Sequence, residues 1–172
     1  MKKLITTLAF SVLAVSFSMA QKFAFVDTKY IMSNIPSYNA AQTELDKLSD
    51  QYENEVSGLY ENIDKMYREY QAEKVLLTDE MKSKREEEII QKERDAKKLQ
   101  NDYFGQEGLL FKKRQELIKP IQDEVYDAIK EIANENGYAV IFDSFSSGEI
   151  MMYTNPRYDV SDEVLQRLGY KN

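Results

Sequence analysis

The chain has 172 residues, a formal net charge of −7, and neither His nor Cys. It therefore lacks the residues of Ser-His-Asp and Cys-His nucleophile systems, of most zinc sites and of thiol chemistry, and no disulfide can support its fold. The acidic balance gives no general attraction for nucleic acid or anionic lipid, and no phosphate-binding GxxxxGK[ST] motif is present, so we expect no cofactor, no metal and no enzymatic activity.

The first 20 residues have the pattern of a signal peptide. Lys2 and Lys3 precede an apolar stretch over residues 4–17, and Ser18-Met19-Ala20 places small residues where signal peptidase cleaves. The stretch is shorter than the roughly 20 residues that a membrane-spanning helix needs. We predict cleavage after Ala20 and an exported, soluble protein. Removing two of the 23 basic residues leaves 21 against 30 acidic ones.

A short strand and a helical turn open the predicted mature chain. Phe23-Ala24-Phe25-Val26-Asp27 is an apolar, aromatic run typical of a strand. Residues 28–34 predict one or two helical turns that end before Pro36, because the residue preceding a proline is disfavoured in the helical conformation. Pro36 suits the first position of the next helix, where its missing N–H costs no hydrogen bond.

From Pro36 the apolar residues recur every three or four positions, which is the pattern of a helix that packs along another helix. The members of this seam are Tyr38, Ala41, Leu45, Leu48, Tyr52, Val56, Leu59, Ile63, Met66 and Tyr70. We interpret the seam as intramolecular packing.

The pattern breaks at residues 76–80, which we predict to be the tip of an antiparallel helical hairpin. Thr78 is a candidate N-cap for a second helix running from about Asp79 to Asn136, and Gly137 supplies the left-handed residue that commonly ends a helix. With a tip near position 78, facing residues have numbers adding to about 156. Pro36 then lies opposite Pro120, which would kink the returning helix at the base of the hairpin.

The remaining elements predict a small β body. Tyr138–Asp143 reads as a strand, residues 144–148 as a turn and Glu149–Thr154 as a second strand, followed by a short helix capped by Ser161-Asp162-Glu163. The predicted fold is α+β, with a long antiparallel coiled-coil arm over 37–119 and a body formed by 21–36 and 120–172.

So few short strands form too small a core to be stable alone, so we expect several copies to share a β-barrel. The predicted oligomerisation residues of the strands are Phe23, Phe25, Val140, Phe142, Met151 and Tyr153.

Several weak motifs, taken in this order around a charged helical hairpin, resemble the Skp/OmpH family of periplasmic chaperones. They are Phe23–Asp27 with Ile35-Pro36, Lys119-Pro120-Ile121-Gln122 with Ala128-Ile129, Glu135-Asn136-Gly137-Tyr138, Val140–Asp143 and Asp159–Leu165. The resemblance implies a homotrimer with a shared β body and three arms. It also implies a periplasmic location and a cavity that holds unfolded outer-membrane β-barrel proteins without ATP.

One departure concerns charge. The best-known members are basic, whereas residues 70–100 here carry eight basic and eight acidic side chains. Lipopolysaccharide binding is therefore not expected to carry over, and we expect neither stable membrane insertion nor nucleic-acid binding.

Apolar residues outside the seam are the candidate client contacts. Tyr60 and Tyr67 lie beside the seam, Phe104 and Phe111 belong to a stripe wider than one partner helix can cover, and Leu76 and Leu77 lie at the tip. The alternatives are contacts between protomers for the phenylalanines and a small packed cluster for the leucines.

Three glycines, Gly58, Gly105 and Gly108, lie within the predicted arm helices, where they serve either close helix packing or flexibility of the arm.

The acidic residues are not interpreted as catalytic. The carboxylates of Glu86-Glu87-Glu88 are interpreted as a solvated face, and Asp143 as a partner of local backbone. The rival to a chaperone is a coiled-coil adaptor that binds one folded envelope protein.

Overall fold

The computed structural model describes residues 21–146, 151 and 153–170. The chain divides into two compact units, Met32–Glu124, here called the arm, and the body, formed by the described residues of Met1–Ile31 and Val125–Asn172. The predicted signal peptide lies outside the described residues. None of the described helices combines the length and apolar composition that crossing a bilayer requires.

The body contains two predicted strands, and both are confirmed. Strand β1 (Lys22–Val26) pairs in parallel with β2 (Tyr138–Asp143), so that Phe23 lies opposite Val140 and Phe25 opposite Phe142. Parallel strands need a long crossover connection, which here is formed by residues 27–137 and contains all the long helices of the chain. Phe25 also forms an isolated parallel β-bridge with Asp159, which lies outside the two strands.

The predicted strand Glu149–Thr154 lies largely outside the described residues. Met151, Tyr153 and Thr154 are described, and none of the three belongs to a strand. The predicted hairpin with β2 is therefore not seen in the part of the body that the structure describes.

A short C-terminal helix, α5 (Ser161–Arg167), completes the body as predicted. The predicted cap is wrong, because Ser161 is the first helical residue and the N-cap position is taken by Val160 without a side-chain hydrogen bond. The Ser161 hydroxyl accepts a hydrogen bond from the Asp27 amide at 2.8 Å, and the Arg167 guanidinium pairs with Glu131 and Glu135. The hydrogen bond with Arg167 lowers the pKa of Glu135. The buried apolar side chains of the body are Ala24, Val26, Ile31, Val125, Ala128, Ile132, Val160, Val164 and Leu165.

The predicted first helices are also present. Helix α1 (Thr28–Ser33) ends before Pro36, and α2 (Pro36–Glu73) begins on that proline. All ten predicted seam residues of α2 are buried or half-buried, which confirms their role in intramolecular packing. A 3-10 turn, Lys74–Leu76, leads to the tip.

Helix α3 (Asp79–Phe104) returns antiparallel to α2, as predicted. The Thr78 side chain caps it by accepting a hydrogen bond from the Met81 amide at 3.3 Å. Contacts between the two sides of the hairpin join Tyr70 to Glu86, Tyr103 to Glu55 and Lys113 to Glu44. The numbers of each pair add to between 156 and 158, which confirms the predicted register.

The prediction of one continuous helix from Asp79 to Asn136 is wrong, because residues 105–108 interrupt it. Gly105 caps α3 in an extended conformation, and a Cβ on it would lie 2.5 Å from the Asn101 carbonyl oxygen. A Cβ on Gly108 would lie 2.6 Å from the Tyr103 carbonyl oxygen. The chain folds back on its own backbone here, which only glycines permit.

Helix α4 (Leu109–Asn136) follows the break and contains Pro120 in its interior. It spans the end of the arm and the start of the body. Gly137 ends it with a positive φ of 68°, as predicted.

We expect Gly58→Ala to raise the free energy of unfolding of the arm by about 0.5–1 kcal/mol, since Ala is the better helix former. Nothing lies within 4 Å of a Cβ at Gly58, so close packing does not explain this glycine. Gly105→Ala and Gly108→Ala should both destabilise the arm, because their Cβ atoms meet backbone. Urea unfolding followed by circular dichroism measures the stability of all three variants. A loss of stability in Gly58→Ala would show that close packing does require a glycine at position 58.

Candidate functional site

The seam near the tip is occupied by the arm's own packing. Ile63 and Tyr70 of α2 form one buried cluster with Ile89 and Ala96 of α3, and Leu77 packs against it. Leu77 therefore belongs to a packed tip cluster, whereas its neighbour Leu76 is 83% exposed. These seam side chains are therefore largely covered by packing within the arm.

The apolar side chains predicted beside the seam are exposed. Tyr60 is 40% and Tyr67 is 52% exposed, and the Tyr60 hydroxyl donates a hydrogen bond to Gln100 Oε1 at 3.4 Å. Phe104 and Phe111 are exposed as well. Because these side chains are apolar and solvated, any partner that covers them gains the hydrophobic free energy of their burial.

The wide aromatic stripe of the returning helix is only partly covered by α2. The Tyr103 ring stacks on Tyr52 with 3.9 Å between centroids, and its hydroxyl donates to Glu55, which raises the pKa of Tyr103. Phe104 meets Tyr52 only edge-on, at 6.2 Å, and stays on the surface. The stripe is thus divided between intramolecular packing and exposed surface.

Several exposed apolar residues of the arm escaped the sequence-based prediction. Val75, Met81, Ile90 and Leu109 are all exposed. These residues could have been found from the sequence, because each is an apolar residue that does not belong to the seam. The same criterion identified Tyr60 and Tyr67.

A groove of about 320 Å³ lies near the tip, on the side of the hairpin that carries Tyr67. Its lining residues are Tyr67, Tyr70, Gln71, Lys74, Glu86, Ile89, Ile90 and Glu93. The Tyr70 hydroxyl donates to Glu86, and this hydrogen bond, with burial, raises the pKa of Tyr70 to about 12. The Lys74 ammonium lies 5.3 Å from the centre of the same ring.

The body presents a second apolar surface, on one face of its sheet. The Phe25 and Phe142 rings lie 5.7 Å apart, and Phe23 contacts both Phe25 and Tyr158. Phe23, Val140 and Phe142 are each close to half exposed. Met151 is half-buried and Tyr153 is exposed, and neither is in a strand with the others.

Asp143 bonds to local backbone at Phe145, as interpreted from the sequence, and also to the distant Thr28. Its carboxylate accepts hydrogen bonds from the Thr28 amide at 3.2 Å, the Thr28 hydroxyl at 2.8 Å and the Phe145 amide at 3.1 Å, and from Ser146. Glu86, Glu87 and Glu88 are exposed. Among the residues described, no group of three or more acidic side chains is placed to hold a metal ion.

Acidification should weaken the body through Asp143. Burial acts to raise the pKa of Asp143, but the hydrogen bonds from Ser146 and Thr28 outweigh it and lower that pKa. A group with a lowered folded-state pKa stabilises the fold above its unfolded pKa of about 3.9, and this contribution is lost as the pH falls through the folded value. We expect Asp143→Asn to reduce the stability difference between pH 7 and pH 3, measured by urea unfolding, more than Asp127→Asn does. An equal reduction in both variants would contradict the role of Asp143.

A comparison with known families shows to which family the chain belongs. The family model described as "Outer membrane protein (OmpH-like)" matches residues 22–168, a range that contains the whole arm and most of the body. The chain belongs to the OmpH-like family. The predicted resemblance is thereby confirmed.

A solved structure agrees with this assignment at the level of the fold. An OmpH-like protein from Caulobacter crescentus, assigned provisionally as an outer-membrane chaperone, superposes with a TM-score of 0.61 at 15% sequence identity. The match covers 86% of this chain and 83% of the other. No curated protein matches the chain. The mostly helical fold with its small pair of strands is thus that of an OmpH-like protein.

Proposed function

We propose that the chain is an ATP-independent, non-enzymatic periplasmic chaperone that binds unfolded outer-membrane β-barrel proteins between helical arms and prevents their aggregation. Membership of the OmpH-like family supports a chaperone role. The observation that carries the proposal is the exposure of Tyr60, Tyr67 and Phe104 on an arm whose seam is already filled. An unfolded polypeptide can cover such scattered apolar surface without a complementary folded shape.

Assembly into a homotrimer is the second part of the proposal. The face formed by the exposed Phe23, Val140 and Phe142 and the half-buried Phe25 would be buried if several copies joined their sheets into a β-barrel. Such a ring would carry one arm per copy around a common cavity. The mass of the mature protein in solution tests this part, and a stable monomer would overturn it.

The holdase activity is tested by diluting a urea-unfolded outer-membrane protein into buffer without nucleotide while light scattering is followed. We expect suppression of aggregation at about one trimer per client. Bovine serum albumin at equal mass controls for nonspecific protection. No suppression would contradict the proposal and favour the adaptor function.

The position of the client contact is tested by placing a photoreactive amino acid at position 60 or 67. We expect a bound client to be cross-linked more strongly from these positions than from Lys47, which is exposed on the same helix. Equal labelling at all three positions would argue against a client-binding flank.

A specific observation argues against the adaptor. A dedicated coiled-coil partner would need a second continuous apolar seam along the arm. The seven-residue row that contains Tyr60 and Tyr67 continues instead to Glu53 on one side and Lys74 on the other. This row is suited to short contacts with irregular segments.

A further inference from the structure

The flank of the hairpin that carries Tyr60 and Tyr67 has a regular construction. Each side of the hairpin contributes side chains spaced seven residues apart, and therefore on one face. Facing members have numbers adding to 160 and pair as Tyr60 with Gln100, Tyr67 with Glu93 and Lys74 with Glu86. The first pair is hydrogen-bonded, and the members of the other two line the same groove.

Two of the charged groups in this groove are already occupied. Glu86 accepts the hydrogen bond from Tyr70, and Lys74 lies over the Tyr70 ring. Glu93 differs, because within the described part of the chain it has neither a hydrogen bond nor an ion pair through its side chain. Its neighbours in the groove include the exposed Tyr67 ring and the exposed Ile90.

We infer that this groove, as part of the proposed client-binding function, binds Lys or Arg side chains of unfolded clients where they adjoin apolar residues. The aliphatic stem of such a side chain would cover Ile90, and its cationic group would reach both the Tyr67 ring and the Glu93 carboxylate. The arm itself shows the ring contact, since Lys74 makes it with Tyr70.

Charge complementarity makes a basic segment the fitting occupant. Among the residues that line the groove, Glu86 and Glu93 carry two negative charges against the one positive charge of Lys74, and the chain as a whole carries a net charge of −7. An acidic client segment would be repelled by Glu86 and Glu93, and a purely apolar segment would leave Glu93 partly desolvated without a partner. The arm is thereby selective for the chemistry of a segment rather than for apolar character alone.

The test compares two fluorescent, unstructured peptides that differ only by Arg or Gln at positions next to Tyr and Leu. Each is titrated with the full mature protein, with Glu93→Gln and with Glu87→Gln, at low ionic strength. Both substitutions remove one exposed carboxylate, so they change net charge equally, but only Glu93 lines the groove. Circular dichroism verifies that both variants keep their helices.

We expect the unmodified protein to bind the Arg peptide more tightly than the Gln peptide. Glu93→Gln should lower affinity for the Arg peptide about three- to fivefold, the size of an exposed ion pair, and leave the Gln peptide unaffected. Glu87→Gln should retain the preference for Arg. Equal effects of the two substitutions, or no preference in the unmodified protein, would overturn the inference.

Failure of this inference is distinguishable from failure of the proposed function. If the protein suppresses aggregation but Glu93→Gln behaves like Glu87→Gln, only the basic-side-chain groove is wrong. If the unmodified protein neither suppresses aggregation nor binds either peptide, the proposed function fails, and the inference fails with it.

Discussion

Replacing Ile89 by Asp should unfold the distal part of the arm and abolish the client binding that we propose for it. Ile89 is 6% exposed and packs with Ile63, Tyr70 and Ala96. The substitution removes a buried aliphatic side chain and places an unpaired carboxylate in an apolar seam that also lies near Glu86. Lost packing and desolvation together should cost about 3–5 kcal/mol. A two-helix hairpin has only this one seam to hold it together, so no other contact offsets the loss.

Hydrogen exchange of the backbone amides measures this effect locally. Protection should be lost around residues 59–96 while the body amides stay protected. The matched control is Ile90→Asp, the same chemical change one residue further on, where the side chain is 45% exposed. It should preserve the helix. Equal loss of protection in the two variants would show that the seam does not run through Ile89.

Leu165→Ala should destabilise the body by about 2–5 kcal/mol, the usual cost of truncating a fully buried leucine. Leu165 is 1% exposed on α5, among the buried apolar residues of the body. The body is small, and such a loss is a large part of the stability of a domain of this size. If the proposed trimer forms through the sheet of the body, the same variant should also dissociate it.

Urea unfolding gives the stability change, and the mass in solution gives the state of assembly. Leu168→Ala is the control, because Leu168 is half-buried on the same C-terminal segment and should lose less. If Leu168→Ala lost more stability than Leu165→Ala, the assignment of Leu165 to the core of the body would be wrong. Retention of the trimer by an unfolded Leu165→Ala body would argue against assembly through the sheet.

The division between packed and exposed apolar residues links the fold to the proposed function. Ile89 is buried, whereas Ile90 lines a solvated groove beside Tyr67 and Glu93. Consecutive helical residues are rotated by about 100° about the helix axis, so the two adjacent isoleucine side chains lie on different faces of α3. Stability thus depends on one face of the arm, whereas the client contact that we propose lies on a neighbouring face. Substitutions on the second face can change client binding with little effect on folding.

The hairpin was predictable from the sequence because its signals are local or periodic. The apolar period of α2, Pro36 at its start, Thr78 at the cap of α3 and Gly137 at the end of α4 each act within a turn or two of helix. The register followed from the position of the tip alone, since antiparallel helices of equal rise must face each other symmetrically about it. Strands β1 and β2 were recognisable from their apolar, aromatic composition.

Other features were decided only by the tertiary structure. The parallel pairing of β1 with β2 joins residues more than 110 positions apart, and no local pattern encodes such a partner. The break at Gly105–Gly108 depends on how closely the chain approaches its own carbonyl groups, which a helical period conceals. Leu77 packs while Leu76 is exposed, because the direction in which the turn leaves α2 determines which leucine meets the seam. The sequence thus determined most of the elements, whereas contacts between distant residues determined how they pair and which apolar side chains remain accessible.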